Sequence, residues 1–121
     1  MRSTGETGKA GEAYAARYLE QHGWRILARN FRVRQGEIDL IAANDRYLAF
    51  VEVKTRASDR FAAAREAVTP AKQRRLIATA ELWIARHDTG LQPRFDVIEV
   101  YWRTGAPQPT ALHHLENAFE A

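Results

Sequence analysis

Two carboxylates stand inside the most apolar segments of this chain. Asp39 interrupts the run Ile38–Ile41, and Glu52 interrupts the run Phe50–Val53. An ionised carboxylate without a partner is costly in an apolar environment, so each acid requires a cation or hydrogen-bond donors. Lys54 follows Glu52 by two residues, and the period of a β-strand places both side chains on the same face, about 7 Å apart. The spacing therefore predicts a cluster of acidic and basic groups on one face of a sheet.

The residue types in this cluster suit the hydrolysis of a phosphodiester. Carboxylate oxygens of Asp39 and Glu52 are hard ligands of the kind that Mg²⁺ or Mn²⁺ prefers, and Glu12 from a preceding helix would add a third. A metal-bound water can become the nucleophile, while Lys54 orients or deprotonates that water and stabilises the charged transition state. A buried ion-pair cluster of the same side chains, with no metal, is the alternative interpretation.

Basic residues are concentrated in two segments of an only mildly basic chain. The chain has 18 Lys and Arg against 15 Asp and Glu, and residues 24–34 contain four arginines and no acid. Residues 54–75 contain seven basic residues and two acids. Such a bias indicates a polyanion partner, although a solvated basic face has the same composition. The candidate nucleic-acid-binding residues are Arg29, Arg32, Arg34, Arg56, Lys72, Arg74 and Arg75.

Periodicity and turn signals define the elements that must position these side chains. Apolar residues at helical spacing predict helices, alternation predicts strands, and Thr69–Pro70 has the form of an N-cap followed by proline. The predicted elements are a helix Gly8–His22, strands Trp24–Val33, Glu37–Ala42 and Tyr47–Lys54, a helix from Thr69 to about His87, and a strand Arg94–Trp102. The order α-β-β-β-α-β indicates an α/β fold, a mixed sheet flanked by helices.

Length and composition indicate a single domain, residues 1–121. Hydrophobic residues make up 45% and charged residues 27%, which are ordinary globular values. The chain has no cysteine, which excludes disulfides, zinc sites with Cys ligands and a Cys nucleophile. No signal peptide or bilayer-spanning stretch is recognised, so a cytoplasmic protein with no membrane partner is expected. Residues 1–8 are expected to be frayed, Thr55–Val68 to be a loop or loose helix, and residues 103–121 to be a tail with His113 and His114 in solvent.

Four short motifs occur in a characteristic order: Gly8-x-x-Gly11-Glu12-x-x-Ala15, Gly36–Ala42, Phe50–Arg56 and Arg94–Val97. In these motifs the chain resembles the YraN-like uncharacterised family of bacterial proteins. The resemblance implies a restriction-endonuclease-like fold, similar to that of archaeal Holliday junction resolvases. It carries their helix Glu, strand Asp and strand Glu-x-Lys onto Glu12, Asp39, Glu52 and Lys54 as the catalytic positions, with Glu12, Asp39 and Glu52 as the metal positions.

Two functions from different classes follow. The first is a Mg²⁺- or Mn²⁺-dependent nuclease that acts on DNA, with branched or recombining DNA as a candidate substrate and a homodimer expected, because cleavage of a junction needs two active sites. The second is a nucleic-acid-binding protein that retains the nuclease fold and performs no chemistry. The arginine-rich segments support the second function, and the carboxylates with Lys54 support the first.

Overall fold

A computed structural model describes residues 4–57 and 68–120 of the chain. Within these ranges two helices and five strands follow one another in the order α-β-β-β-α-β-β. They are α1 (Thr4–Gln21), β1 (Arg25–Val33), β2 (Gly36–Ala43), β3 (Tyr47–Arg56), α2 (Pro70–Arg86), β4 (Gln92–Tyr101) and β5 (Ala111–Phe119). The predicted segment Thr55–Val68 falls largely outside the described residues, and Thr55 and Arg56 belong to β3 rather than to a loop.

The five strands form one mixed sheet in the order β1-β2-β3-β4-β5. β3 and β4 are parallel, and the connection between them contains α2, as a parallel crossover requires. The other neighbouring strands pair antiparallel. β3 is the central strand, and its residues Leu48–Val53 are buried. The near-continuous apolar run of β3 predicts this position, because a strand covered on both faces has no polar face.

The helices cover opposite faces of the sheet, so the predicted α/β sheet flanked by helices is confirmed. Phe50 packs in a core with Leu76 and Trp83 of α2. Val51, the next residue along β3, packs in the other core with Ala15 and the rest of the buried face of α1. Side chains on the even-numbered positions of β3 therefore face α2, and those on the odd-numbered positions face α1.

Local signals define the start of α2. Thr69 is its N-cap, and the threonine hydroxyl accepts a hydrogen bond from the backbone N–H of Lys72. Pro70 occupies the first turn, where a missing N–H costs nothing. Leu76, Ala80 and Trp83 are buried as predicted, whereas Ile84 at the edge of the predicted apolar stripe is 36% exposed. The prediction for this helix is confirmed at both ends to within one residue.

Both predictions for the chain ends need correction. α1 begins at Thr4, so residues 4–8 are helical and not frayed. The predicted tail 103–121 contains β5, which pairs antiparallel with β4. His114 lies in this strand, where its imidazole contacts the Asp96 carboxylate at 2.7 Å and the Tyr18 hydroxyl at 3.0 Å. The sequence of β5 is short and polar, so it gives only a weak local signal for a strand. The strand is stabilised by partners that are distant in sequence.

No helix in residues 4–57 and 68–120 combines the length and the apolarity that a bilayer crossing requires.

Candidate functional site

Asp39 lies where the pairing of β2 with β3 ends. The antiparallel ladder pairs Ala43 with Leu48 and continues to Leu40 and Val51. One register step further, the Asp39 Oδ2 atom accepts a hydrogen bond from the backbone N–H of Val53 at 2.8 Å. The carboxylate thus takes the place of a backbone acceptor, and the two strands separate around it. Extended by one step, the same antiparallel register places Asp39 opposite Glu52.

Glu52 is buried on the α2 face of the sheet and has two lysine partners. Its Oε1 atom lies 2.5 Å from Lys72 Nζ and 3.5 Å from Lys54 Nζ. Lys54 reaches Glu52 along β3, since the two residues share a face. Lys72 reaches it from the first turn of α2, where the Thr69 cap holds its backbone. Lys72, which the sequence indicates as a nucleic-acid-binding residue, is thus engaged with Glu52 through its ammonium.

The carboxylates of the site repel one another. Burial, followed by the charge of Glu52, raises the pKa of Asp39 to about 7, and the charges of Glu12 and Glu37 act in the same direction. The hydrogen bond from Val53 opposes these effects and does not overcome them. The shift thus reflects a carboxyl group that is largely removed from water and has other acids nearby. A divalent cation at this point would relieve the repulsion.

The two lysines of the site differ in basicity. A hydrogen bond with Lys72, together with burial, lowers the pKa of Lys54 below its ordinary value, although the charge of Glu52 opposes the change. Burial also lowers the pKa of Lys72, but its hydrogen bonds to Glu52 and Lys54 and the charge of Glu52 raise it overall. Lys72 therefore holds its proton more firmly than an ordinary lysine, and Lys54 releases its proton more readily.

Glu12 approaches the same end of β2 from α1. Its carboxylate has a hydrogen bond with the side chain of Asn30. Burial raises the pKa of Glu12, the charges of Glu37 and Glu52 add to this effect, and the Asn30 bond opposes it. Glu12 is thus within electrostatic reach of Glu37 and Glu52. Across the described ranges 4–57 and 68–120, no three His, Asp or Glu side chains form a ready-made metal cluster.

The donor set nevertheless fits Mg²⁺ or Mn²⁺. Mg²⁺ is commonly bound through one or two carboxylates, with waters and substrate phosphates completing its coordination. Asp39 and Glu52 supply two carboxylates that line one depression together with Lys72 and Arg75. Burial and the neighbouring carboxylates raise the pKa of Asp39 to about 7, and a bound cation would favour its ionised form. Glu12 as a third ligand stays a prediction.

Of the predicted nucleic-acid-binding residues, Lys72 and Arg75 line this depression, and the others lie elsewhere in the described structure. Arg32 is exposed on edge strand β1, and its guanidinium pairs with Glu37 at 3.1 Å. Arg74 and Arg75 are exposed near the start of α2. Arg56 at the end of β3 pairs with the fully buried Glu99 at 3.0 Å. Three further basic residues of β1 and its turn with β2 are exposed: Arg25, Arg29 and Arg34.

Asn30 and Glu99 are site residues that the sequence reasoning missed. Asn30 has a φ of 50° in the middle of β1, opposite Asp39, between the pairs Arg29–Leu40 and Phe31–Ile38 of the β1–β2 ladder. Asparagine tolerates this left-handed conformation and is uncommon in strands, which is the signal that could have found it. Glu99 lies beside Lys54 in the parallel β3–β4 register, a relationship that only the sheet order reveals.

Comparison with known proteins agrees with the resemblance predicted from the motifs. The model of the uncharacterised protein family UPF0102 matches residues 11–100. A UPF0102 protein of Symbiobacterium thermophilum is 50% identical over 115 residues, which cover 94% of this chain and 96% of the relative. A UPF0102 protein of Rhodopseudomonas palustris is 50% identical over 117 residues, covering 95% and 84%. One from Bifidobacterium longum is 43% identical over 116 residues, covering 93% and 91%. This chain is therefore a member of the YraN-like family UPF0102.

Proposed function

We propose that this protein is a metal-dependent nuclease that hydrolyses DNA phosphodiester bonds on a restriction-endonuclease-like fold. The observation that carries the proposal is the meeting of Asp39, Glu52 and Lys54 where β2 and β3 separate, with the pKa of Asp39 raised to about 7 by burial and by its acidic neighbours. Shifted carboxyl groups in a depression are typical of functional sites.

The residues divide the chemistry among them. Mg²⁺ or Mn²⁺ on Asp39 and Glu52 would supply Lewis acidity to the scissile phosphate. Lys54 orients or deprotonates the attacking water, and its ammonium stabilises the charge that develops on the phosphate oxygens. In the metal-free site the Lys72 ammonium compensates the charge of the Glu52 carboxylate, which it contacts at 2.5 Å. Hydrolysis forms one P–O bond from water and breaks one P–O ester bond.

The surrounding arginines suit a DNA substrate. Arg74 and Arg75 are exposed beside the depression that contains Glu52, and Arg75 lines it. Arginine pairs well with phosphate, and arginines beyond the site would hold the flanking backbone. Branched DNA remains the candidate substrate that the family resemblance implies, and a homodimer would supply the second active site.

A cleavage assay tests the proposal. Purified protein is incubated with duplex, single-stranded, flap and four-way DNA in Mn²⁺ and in EDTA. We expect nicking in Mn²⁺ alone, and a loss of about 100-fold or more in the Asp39→Asn, Glu52→Gln and Lys54→Ala variants. Glu20→Gln is the matched control, since Glu20 is exposed on α1 and distant in sequence from the site residues. Cleavage that survives all three site variants would reject the site.

A non-catalytic nucleic-acid-binding protein is the second candidate. The observation that favours it is the contact between Lys72 and Glu52, because an ammonium already occupies a carboxylate oxygen that a metal would need. In that case DNA binding would fall with salt, would be unaffected by Asp39→Asn, and no substrate would be cut. The same purified variants therefore decide between the two functions.

A further inference from the structure

Gly11 of α1 rests directly on β3. The glycine is buried, and a methyl group on its Cα would overlap Thr55 Oγ1 and lie 3.3 Å from Thr55 Cβ. Gly8, three residues earlier in the same helix, is different, because a methyl group there would meet no atom within 4 Å. The close approach is thus specific to Gly11. A helix interior disfavours glycine, so the residue costs stability unless its lack of a side chain serves the packing.

The contact between Gly11 and Thr55 lies immediately beside the candidate site. Thr55 follows Lys54, and Gly11 precedes Glu12. The carboxylate of Glu12 is held from a second direction by the side chain of Asn30. Asn30 lies opposite Asp39 between β1 and β2, in the left-handed conformation with a φ of 50°. The backbone beside Glu12 is therefore held by the packing of Gly11 on Thr55, and its carboxylate interacts with the Asn30 side chain.

We propose that Gly11 is a positioning residue: its missing side chain lets α1 approach Thr55, and this approach keeps Glu12 within electrostatic reach of Asp39 and Glu52, from where its carboxylate would help to hold a divalent cation when one binds. The inference rests on the proposed function, because it takes Glu12 as a contributor to that cation site. It adds that the approach of the start of α1 to β3 is set at Gly11, while Ala15, Ala16 and Leu19 pack the rest of the helix on the sheet. It also assigns a role to the first motif of the chain, which the proposed function leaves unused.

Mn²⁺ binding provides a readout that does not depend on activity. The apparent Mn²⁺ affinity is obtained from the rise of Tm with Mn²⁺ concentration, because a ligand that binds only the folded state stabilises it. We expect Gly11→Ala to weaken Mn²⁺ binding by about tenfold, the size seen when groups that orient metal ligands are removed. Gly8→Ala is the matched control and should keep the affinity of the unmodified protein, because its added methyl group meets nothing.

A double-mutant cycle separates positioning from general damage. Thr55→Ala removes the hydroxyl that the Gly11→Ala methyl group would overlap and leaves the 3.3 Å contact to Cβ, which requires only a small shift. The double variant Gly11→Ala, Thr55→Ala should therefore recover the Mn²⁺ affinity of Thr55→Ala to within about threefold. If the two single substitutions each weaken Mn²⁺ binding and their losses multiply in the double variant, the proposal is wrong.

Asn30→Gly keeps the experiment decisive if Gly11→Ala folds poorly. Glycine accepts the φ of 50°, so the strand geometry is retained while the hydrogen bond to Glu12 is lost. We expect weaker Mn²⁺ binding, with Glu12→Gln setting the full size of the effect. If the unmodified protein binds Mn²⁺ and Glu12→Gln binds it equally well, the inference is wrong while the nuclease proposal stands. If the unmodified protein binds no Mn²⁺, the proposed function itself fails.

Discussion

The Asp39 carboxylate and the Val53 amide are joined by a 2.8 Å hydrogen bond at the point where β2 and β3 stop pairing. A side-chain oxygen here replaces the backbone acceptor that a longer ladder would supply. The strands therefore separate without leaving the Val53 N–H unsatisfied, which would be costly in a buried position. The space opened between them is the one that Glu52 and Lys72 line. The site therefore forms at the place where the pairing of β2 with β3 stops.

The stability of the protein should fall as Asp39 ionises. Its pKa is about 7 in the folded protein against an ordinary value of 3.8, so the folded state retains this proton over the range in which the unfolded chain loses it. The resulting stabilisation is full below the ordinary pKa and is lost as pH rises through the folded value. In EDTA, Asp39→Asn should match the unmodified protein near about pH 4 and exceed its stability near about pH 8 by on the order of 2 kcal/mol. Urea unfolding at both pH values measures this, and equal curves at the higher pH would contradict it.

Lys72→Gln should lower the stability of the metal-free protein and increase the rise in Tm that Mn²⁺ causes. Glu52 has only 8% of its side chain exposed, and the substitution leaves it with Lys54 at 3.5 Å as its remaining lysine partner. We expect a loss of on the order of 1–3 kcal/mol in the free energy of unfolding. Because the Oε1 atom is then released for a cation, the Mn²⁺-induced rise in Tm should be larger than in the unmodified protein. A smaller rise would show that Lys72 does not compete with the metal.

Arg74 and Arg75 should contribute to DNA binding through phosphate contacts. Both are exposed on α2 beside the site, whereas Arg86 is exposed in the last turn of the same helix. The double variant Arg74→Gln, Arg75→Gln should bind DNA more weakly and lower the slope of log affinity against log salt by about 2, because each phosphate contact releases counterions. Arg86→Gln, a change of charge on the same helix, should leave the slope unaltered. Fluorescence anisotropy across a salt series measures both, and equal slopes for all three proteins would remove these arginines from the interface.

Asp96 should be essential for stability although it is remote from the proposed chemistry. The Arg94 guanidinium donates two hydrogen bonds of 2.9 Å to its carboxylate, and the Asn117 N–H donates a third at 3.0 Å. Burial raises its pKa, but the bonds to His114, Arg94 and Asn117 prevail and lower it below the ordinary value. Asp96→Asn should cost about 3 kcal/mol near neutral pH, because Arg94 loses its charged partner.

The pH dependence of Asp96 has the opposite sign to that of Asp39. Its pKa is lowered from 3.8, so its contribution is full above that value and is lost as pH falls through the folded pKa. The stability difference between the unmodified protein and Asp96→Asn should therefore shrink in acid below about pH 4. Chemical unfolding across this range measures it, and a constant difference would show that the ionised carboxylate is not the stabilising form.

The parts of this protein that the sequence determines are those encoded by neighbouring residues. The period of two places Glu52 and Lys54 on one face, and the apolar run around them marks β3 as the covered central strand. The Thr69–Pro70 pair predicts the start of α2 because cap geometry depends on a few adjacent torsions. These features follow from local stereochemistry, so a single chain read in order is sufficient to predict them.

The tertiary structure decides which of these elements meet. β5 is a strand because β4 offers it a hydrogen-bonding edge, and the bond between Tyr18 and His114 spans 96 positions of sequence. Lys72 is engaged with Glu52, 20 residues away, because α2 crosses back over the sheet. The fit of Gly11 against Thr55 likewise exists only when α1 packs on β3. Register, sheet order and side-chain partners arise from contacts between distant residues, and no local pattern of torsions or hydrophobicity specifies them.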